Sequence, residues 1–270
     1  MVFSRITITE DSLADGRHQV NNRTMTKPVS IVTVSYDTFF FLRLLVEKVR
    51  EQIGARAYEV VVVDRGSRDG TREWLERQSD VRVLDAKPNR RGHGHGEAAE
   101  LGVANARYEH VVLLDSDAHP IDRMWLSLTV DRLDNHHRLA GGVFRGMHKA
   151  NPHHWYIHPH FMAFHKTDLG NEITLRKVPG QDLDTGELAT IRLLDASLGI
   201  LGYPIEFCAA FDVGHPHFPT VTAGVFHAWY GTRLRKDTRT VHQETNGAVT
   251  DANYLDPLQK RLRQVYALDY

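Results

Sequence analysis

Asp115-Ser116-Asp117 directly follows the apolar run Val111-Val112-Leu113-Leu114. A strand that ends in two carboxylates offers two hard oxygen ligands on a short loop. That donor set suits Mg²⁺ or Mn²⁺, above all when a diphosphate brings further oxygens. The competing reading of the triplet is a solvated turn in which Asp and Ser bond nearby backbone N–H groups. Asp64 closes a second apolar run, Val60-Val61-Val62-Val63, in the same way, and parallel neighbouring strands would bring its carboxylate to the same edge. Between the two acidic ends lies Asn89-Arg90-Arg91-Gly92-His93-Gly94-His95-Gly96-Glu97, a Gly-rich loop leading into a helix. Such a loop turns backbone N–H groups and a helix N-terminus toward an anion, with Arg90 and Arg91 adding charge. Its alternative is an exposed surface connection. No G-K-[ST] follows the loop, so it is not a Walker P-loop, and it is no clean G-x-G-x-x-G on the first turn.

These groups need a frame that carries them to one edge, and the apolar period supplies it. Residues 29–34 are a β-branched run, hence a strand. Phe39, Leu42, Leu45, Val46, Val49 and Ile53 recur at three and four, a helix closed by Gly54. Residues 59–64 form a strand apolar enough to be buried on both faces. A turn over 65–70, a helix over 71–78, a strand over 81–84, a helix over 96–106 and a strand over 110–115 follow. Strand and helix in alternation with short connections mean βαβ units, a parallel sheet and ligands beyond the carboxyl ends of the strands. The second half is less regular. A helix over 188–198, a strand over 221–229 and a terminal helix over 257–268 are expected, the last with Leu258, Leu262, Val265 and Tyr266 on one face. That face either closes the core or pairs two subunits as a homodimer.

Composition narrows the classes. The 270 residues are 41% hydrophobic and 25% charged, with 33 Lys and Arg against 34 Asp and Glu. A net charge of −1 gives no global attraction to nucleic acid or an acidic membrane. One cysteine, Cys208, excludes an intrachain disulfide framework and a Cys-based zinc knuckle. Apolar runs fall far short of the roughly 20 residues of a membrane span, so a soluble, cytoplasmic protein is expected. Seventeen histidines stand out and suit either a pH response or metal binding. Residues 1–27 are polar, lack a signal-peptide core and read as a flexible extension, disordered or a short hairpin. Met25-Thr26-Lys27-Pro28, just before the first strand, reads as an alternative start.

The same residues resemble glycosyltransferase family 2, whose nucleotide-sugar-binding fold is called GT-A. Val29-Ser30-Ile31-Val32-Thr33-Val34-Ser35-Tyr36 resembles that family's opening strand and its aromatic at the nucleobase. Val61-Val62-Val63-Asp64-Arg65-Gly66-Ser67-Arg68-Asp69-Gly70-Thr71 resembles V-V-D-x-G-S-x-D-G-T. Gly94-His95-Gly96-Glu97-Ala98-Ala99-Glu100-Leu101-Gly102 falls where relatives carry G-x-G-x-A-x-N-x-G, and Leu113-Leu114-Asp115-Ser116-Asp117 fits the metal-binding D-x-D. The resemblance covers about residues 29–125. It implies a Rossmann-like, mostly parallel α/β sheet flanked by helices, with an irregular C-terminal acceptor side. In domain terms, 28–270 would be one GT-A-like unit, with a nucleotide-sugar half at 28–140 and an acceptor half at 141–270. The implied activity is metal-dependent, inverting transfer of a sugar from a nucleoside diphosphate, with Mn²⁺ or Mg²⁺ as cofactor. Asp117 would ligate the metal, and Asp115 would reach the metal or the ribose. Asp64 would contact the nucleoside and Tyr36 pack on the base. Ser35, Arg65, Arg91, Gly94, Gly96 and Ser116 would complete the nucleotide-sugar site. Two positions depart from the pattern: Arg65, where relatives carry Asp or Asn at a base-reading position, and Glu100, where they carry Asn.

Inverting displacement needs a carboxylate to take the acceptor's proton. Gln181-Asp182-Leu183-Asp184-Thr185-Gly186-Glu187 lies where the family places its acidic motif. Asp184 is the first choice for the base and Glu187 the second, against a capping role for both. His227, near a strand end, resembles the late His that serves as third metal ligand in several GT-A enzymes, with His119 as its rival. His158 and His160 would share a face if extended, but Pro159 argues for a loop. A nucleotidyltransferase, or a non-catalytic protein binding a nucleotide sugar or zinc, are the competing functions. The acceptor, whether small molecule, lipid-linked or peptide, is not identified.

Overall fold

The computed structural model describes residues 6–8, 26–86, 94–145, 155–176, 183, 185–214, 218–229 and 254–270. The first half alternates as expected: β2 (Val29–Ser35), α1 (Phe39–Gln52), β3 (Tyr58–Asp64), α2 (Thr71–Leu75), β4 (Val81–Asp85), α3 (His95–Ala104) and β5 (His110–Asp115). β6 (Ala118–Pro120), α4 (Trp125–Leu128), β7 (His137–Arg145), β8 (Trp155–His165), α5 (Glu187–Asp195) and β9 (Gly199–Tyr203) follow. The chain then forms β10 (Glu206–Phe207), β11 (Thr220–Thr222), β12 (Val225–His227) and α6 (Asp256–Tyr266). With β1 (Ile6–Ile8), eight strands make one sheet in the order β1-β9-β7-β8-β5-β2-β3-β4, and β10-β11-β12-β6 make a second, smaller one. In the large sheet, β4, β3, β2 and β5 are mutually parallel, β8 runs antiparallel between β5 and β7, and β9 is parallel to β7.

Alternation along the central strands splits their side chains between two layers. Ile31, Val60, Val62, Val112 and Leu114 join Leu42, Leu45, Val46 and Trp125 on one face. Val32, Val61, Val63, Val111 and Leu113 join Ala98, Val103, Ala189 and Leu193 on the other. α3 approaches the sheet closely because Gly102 has no side chain: a Cβ there would lie 2.5 Å from Val32 Cγ1 and 2.9 Å from Val63 Cγ2. A third cluster joins Phe41 and Leu44 of α1 to Phe226 and to Leu258 and Leu262 of α6. The apolar face of the terminal helix therefore closes a core, although Val265, expected on that face, is exposed.

Three elements differ from expectation. Residues 1–27 read as a disordered lead or hairpin, yet Ile6–Ile8 forms a strand parallel to β9, Ile6 opposite Ile200; the β-branched Ile-Thr-Ile triplet favours extended chain. The stretch around Pro159 reads as a loop but lies within the eleven-residue β8. β7 opposes Gly141 to Met162 and Val143 to Ile157, so residues 158–161 bulge out of the ladder with β7, while Phe161 stays opposite Leu114 of β5. There Pro159, lacking an N–H, breaks no ladder bond. The strand expected over 221–229 is instead a hairpin, because Ala223 and Gly224 both take positive φ, 45° and 78°. That is a tight two-residue turn, disguised in the sequence by an apolar Ala at a position that usually carries Asn, Asp or Gly.

Candidate functional site

β5 delivers Asp115 to the carboxyl edge of the sheet, and β6 begins three residues beyond it, so Asp117 stays beside Asp115. The small sheet then brings in a residue more than a hundred positions away: β12 pairs with β6, His227 opposite Ala118, and the Ala228 N–H donates to the Asp117 carbonyl at 3.0 Å. The ligand atoms of Asp115, Asp117 and His227 all lie within 4.8 Å of one another, the one such group among the described residues. His227 Nε2 is 3.2 Å from Asp117 Oδ1 and 3.7 Å from Asp115 Oδ2. His95, the first residue of α3, sets its Nε2 3.4 Å from Asp115 Oδ1. Burial opposes the charged form of Asp115, but His95, with His227 and His158 nearby, outweighs it and holds the carboxyl well below the usual carboxylate range. Two carboxyl groups facing an imidazole fit a divalent cation with mixed oxygen and nitrogen ligands.

His119, the rival third ligand, is placed elsewhere. Its ring lies 4.7 Å from Phe226, Nε2 meets the Tyr266 hydroxyl at 3.0 Å, and burial followed by the Lys48 charge pushes its pKa down to about 3. Opposite Phe226, whereas His227 stands opposite Ala118, it lies on the other face of the β6–β12 pairing from His227, and the rings of Phe226 and Tyr266 enclose it.

The loops around the centre are tied together by contacts that motif reading passes over. Ser35 Oγ lies 3.1 Å from Thr38 Oγ1, which donates to Ser116 Oγ at 3.1 Å, and all three residues are buried. The hydroxyls of Ser35 and Ser116, expected at the nucleotide, thus form a chain that fixes the D-x-D turn to the end of β2. Asp64 is 2% exposed; its carboxylate accepts from the Ser67 hydroxyl at 2.6 Å and from the Gly66 and Ser67 N–H groups at 3.2 and 3.3 Å. It shapes the turn that follows β3. Asp69 from that turn accepts the Phe39 N–H at 2.8 Å and caps α1, a task that Thr38, at the N-cap position, leaves to it. Asp37 and Ser67 cross-link the same two loops, the Asp37 N–H donating to Ser67 Oγ at 3.0 Å and the Arg68 N–H to Asp37 Oδ1 at 2.7 Å. Long-range pairs of this kind leave no local signal in a single sequence.

Tyr36 and Arg65 stand together at the ends of β2 and β3, the guanidinium carbon 6.0 Å from the ring centroid. Gly94 is the N-cap of α3, and Gly96 lies against the chain: a Cβ on it would come within 1.9 Å of the Leu175 carbonyl oxygen. Glu100 completes that junction by accepting from Thr174 Oγ1 at 3.1 Å and from the Leu175 and Arg176 N–H groups at 3.0 and 3.2 Å, with the Arg176 guanidinium beside it. Burial works against its charge, yet Arg176 and the two N–H groups hold its carboxyl below the ordinary range. The unusual acid on α3 is thus a clamp for the segment after β8. Glu187, the second-choice base, opens α5 at 1% exposure, and Gly186 rather than Asp184 is the N-cap. Asp184 and Arg91 lie outside the described residues. His158 and His160 sit on the bulge with their Nδ1 atoms 3.0 Å apart, and His160 stacks on His227 with centroids 4.8 Å apart. Trp229 follows at φ 63°, its ring 4.4 Å from that of His227.

The profile of Glycosyl transferase family 2 matches residues 30–188, well over half of the chain. No curated protein sequence matches it. Among solved structures, a mannosyltransferase from Pyrobaculum calidifontis in complex with GDP-Man and Mn²⁺ superposes with a TM-score of 0.51 at 23% identity, over 65% of this chain and 54% of that one. Glucosyl-3-phosphoglycerate synthase from Mycobacterium tuberculosis, in complex with Mn²⁺, UDP and phosphoglyceric acid, gives 0.50 at 16% identity over 66% and 68%. The chain therefore spans about half the length of the Pyrobaculum enzyme. Likeness at these identities establishes a shared mostly parallel α/β fold. No described helix is long and apolar enough to cross a membrane.

Proposed function

The chain belongs to glycosyl transferase family 2, and from that premise we propose that it is a metal-dependent, inverting transferase using a nucleoside-diphosphate sugar. The observation that carries this reading is the group Asp115, Asp117 and His227, gathered within 4.8 Å at the ligand-binding edge of the sheet. These three residues would hold Mn²⁺ or Mg²⁺, which supplies positive charge to the departing diphosphate. Mn²⁺ in the Pyrobaculum and Mycobacterium structures accords with that choice. Their nucleotides, GDP-Man in one and UDP in the other, accord with a nucleoside-diphosphate donor.

The rest of the chemistry falls to side chains. Tyr36 offers a face for the base beside Arg65. The Ser35–Thr38–Ser116 chain keeps the carboxylates of Asp115 and Asp117 in place while charge develops on the leaving group. Transfer with inversion forms the bond from the acceptor oxygen to the anomeric carbon as the bond to diphosphate breaks. Asp184 takes the acceptor proton; Glu187, at 1% exposure, is walled off from an incoming acceptor. The acceptor half, 141–270, contributes the bulge of β8 and the hairpin that carries His227.

The test is calorimetric titration of UDP, dTDP, GDP and CMP into the full chain, with and without Mn²⁺. Metal-dependent binding of one nucleotide, lost in Asp117→Ala with the fold intact by circular dichroism, supports the reading. Equal binding with and without Mn²⁺, or binding unchanged in Asp117→Ala, refutes the assignment of the metal centre.

A further inference from the structure

We propose that Arg65 makes this chain select a guanine over a uracil nucleotide, an inference that rests on the nucleotide-sugar reading above. Arg65 is the first residue beyond β3. Its N–H donates to the Ser35 carbonyl at 3.0 Å, which sets it at the carboxyl edge one position past Asp64. Its guanidinium and the Tyr36 ring, 6.0 Å apart, mark the β2–β3 end of that edge, whereas Asp115 ends β5 on the far side of β2. Two strand spacings, about 10 Å, separate the ends of β3 and β5. That is the reach of a nucleotide from diphosphate to base, so a diphosphate at Asp115 and Asp117 sets its base at Tyr36 and Arg65.

Beside Tyr36, Arg65 brings donors to that end. A guanidinium has five N–H groups and no acceptor. Asp64, the adjacent carboxylate, is 2% exposed, and both its oxygens already accept from the turn, from the Ser67 hydroxyl and N–H and from the Gly66 N–H. Uracil presents an N–H between two carbonyls, and against Arg65 that N–H meets a donor. Guanine presents N7 and O6 side by side, two acceptors that the guanidinium fork meets with paired hydrogen bonds. A base whose polar group is left facing a like group loses affinity steeply. Tyr36 stacks on either ring, so discrimination rests on Arg65.

GDP, UDP, CDP and ADP titrated into the full chain in Mn²⁺ read this directly. GDP is expected to bind at least about 5-fold more tightly than UDP, the lower end of what a bidentate guanine contact provides. Arg65→Asp, an acceptor in place of the donor, is expected to reverse that order, and Arg65→Lys to weaken GDP without favouring UDP. UDP or CDP binding to the unaltered chain as tightly as GDP overturns the inference, and because that ranking needs no variant, a folding defect cannot obscure it. An unchanged GDP-to-UDP ratio in a folded Arg65→Asp overturns it too. Tight, metal-dependent UDP binding would leave the transferase reading standing while this one falls; no binding of any nucleotide would remove both.

Discussion

Replacing Thr38 by valine keeps the shape of the side chain and removes the middle link of the hydroxyl chain beneath the D-x-D turn. Thr38 is 1% exposed, and its oxygen lies 3.1 Å from both Ser35 Oγ and Ser116 Oγ, which belong to residues 0% and 5% exposed. Thr38→Val thus deletes two hydrogen bonds and leaves two buried hydroxyls short of a partner, at about 1–3 kcal/mol for each orphan. Non-additivity within one network brings the expected loss to about 2–4 kcal/mol. Thr38→Ser keeps the hydroxyl and loses one methyl group, about 1 kcal/mol. Urea denaturation of both variants, monitored by tryptophan fluorescence, separates the two terms. Because Ser116 stands between Asp115 and Asp117, Mn²⁺ affinity should fall about 10–100-fold in the valine variant, the usual cost of releasing a ligand's support. The serine variant should stay near the parent. If Thr38→Ser proves the more damaging, methyl packing and not the hydroxyl chain holds this corner. If Thr38→Val loses stability without loss of Mn²⁺ affinity, the chain does not position the metal centre.

Two further outcomes follow from packing and protonation. Gly96→Ala should lose about 1–3 kcal/mol by overpacking despite alanine's better helix propensity, because its Cβ would meet the Leu175 carbonyl oxygen at 1.9 Å and neither partner is a flexible side-chain end; a thermal melt that rises would refute the close approach. His110 and His165, ring centroids 5.0 Å apart, are both held below the ordinary imidazole pKa, first by burial and then by the charges of His165 and Arg138 respectively. The unfolded chain therefore binds more protons than the fold once pH drops below about 6.5, so this contribution is complete above that pH and is lost as pH falls. Denaturant midpoints should fall between pH 7.5 and 5.5, less so in a His110→Asn, His165→Asn double variant, and an identical pH profile for parent and variant would refute this origin.

The central strands were legible from the sequence because parallel strands buried on both faces must be apolar throughout, as Val60–Val63 and Val111–Leu114 are, and the helices between them carry a 3.6 period. Asp115 and Asp117 were legible for the same reason: the place where an apolar strand stops is a local feature. The second half hid its form where local rules have non-local exceptions. Pro159 speaks against a strand until the bulge that excuses it is seen, and an Ala in the turn of a hairpin conceals the break between β11 and β12.

What the sequence by itself determined is the order of elements and the chemical types at their ends, since period, turn residues and strand-end carboxylates are written within a few neighbouring positions. Tertiary structure alone gathers His227, and not His119, with Asp115 and Asp117, because the two imidazoles occupy opposite faces of a short antiparallel pairing. It alone assigned Asp69 to capping, Glu100 to clamping and Thr38 to the link between two loops. Each of those roles joins groups that the chain separates and the sheet brings together, and no local pattern records such a distance.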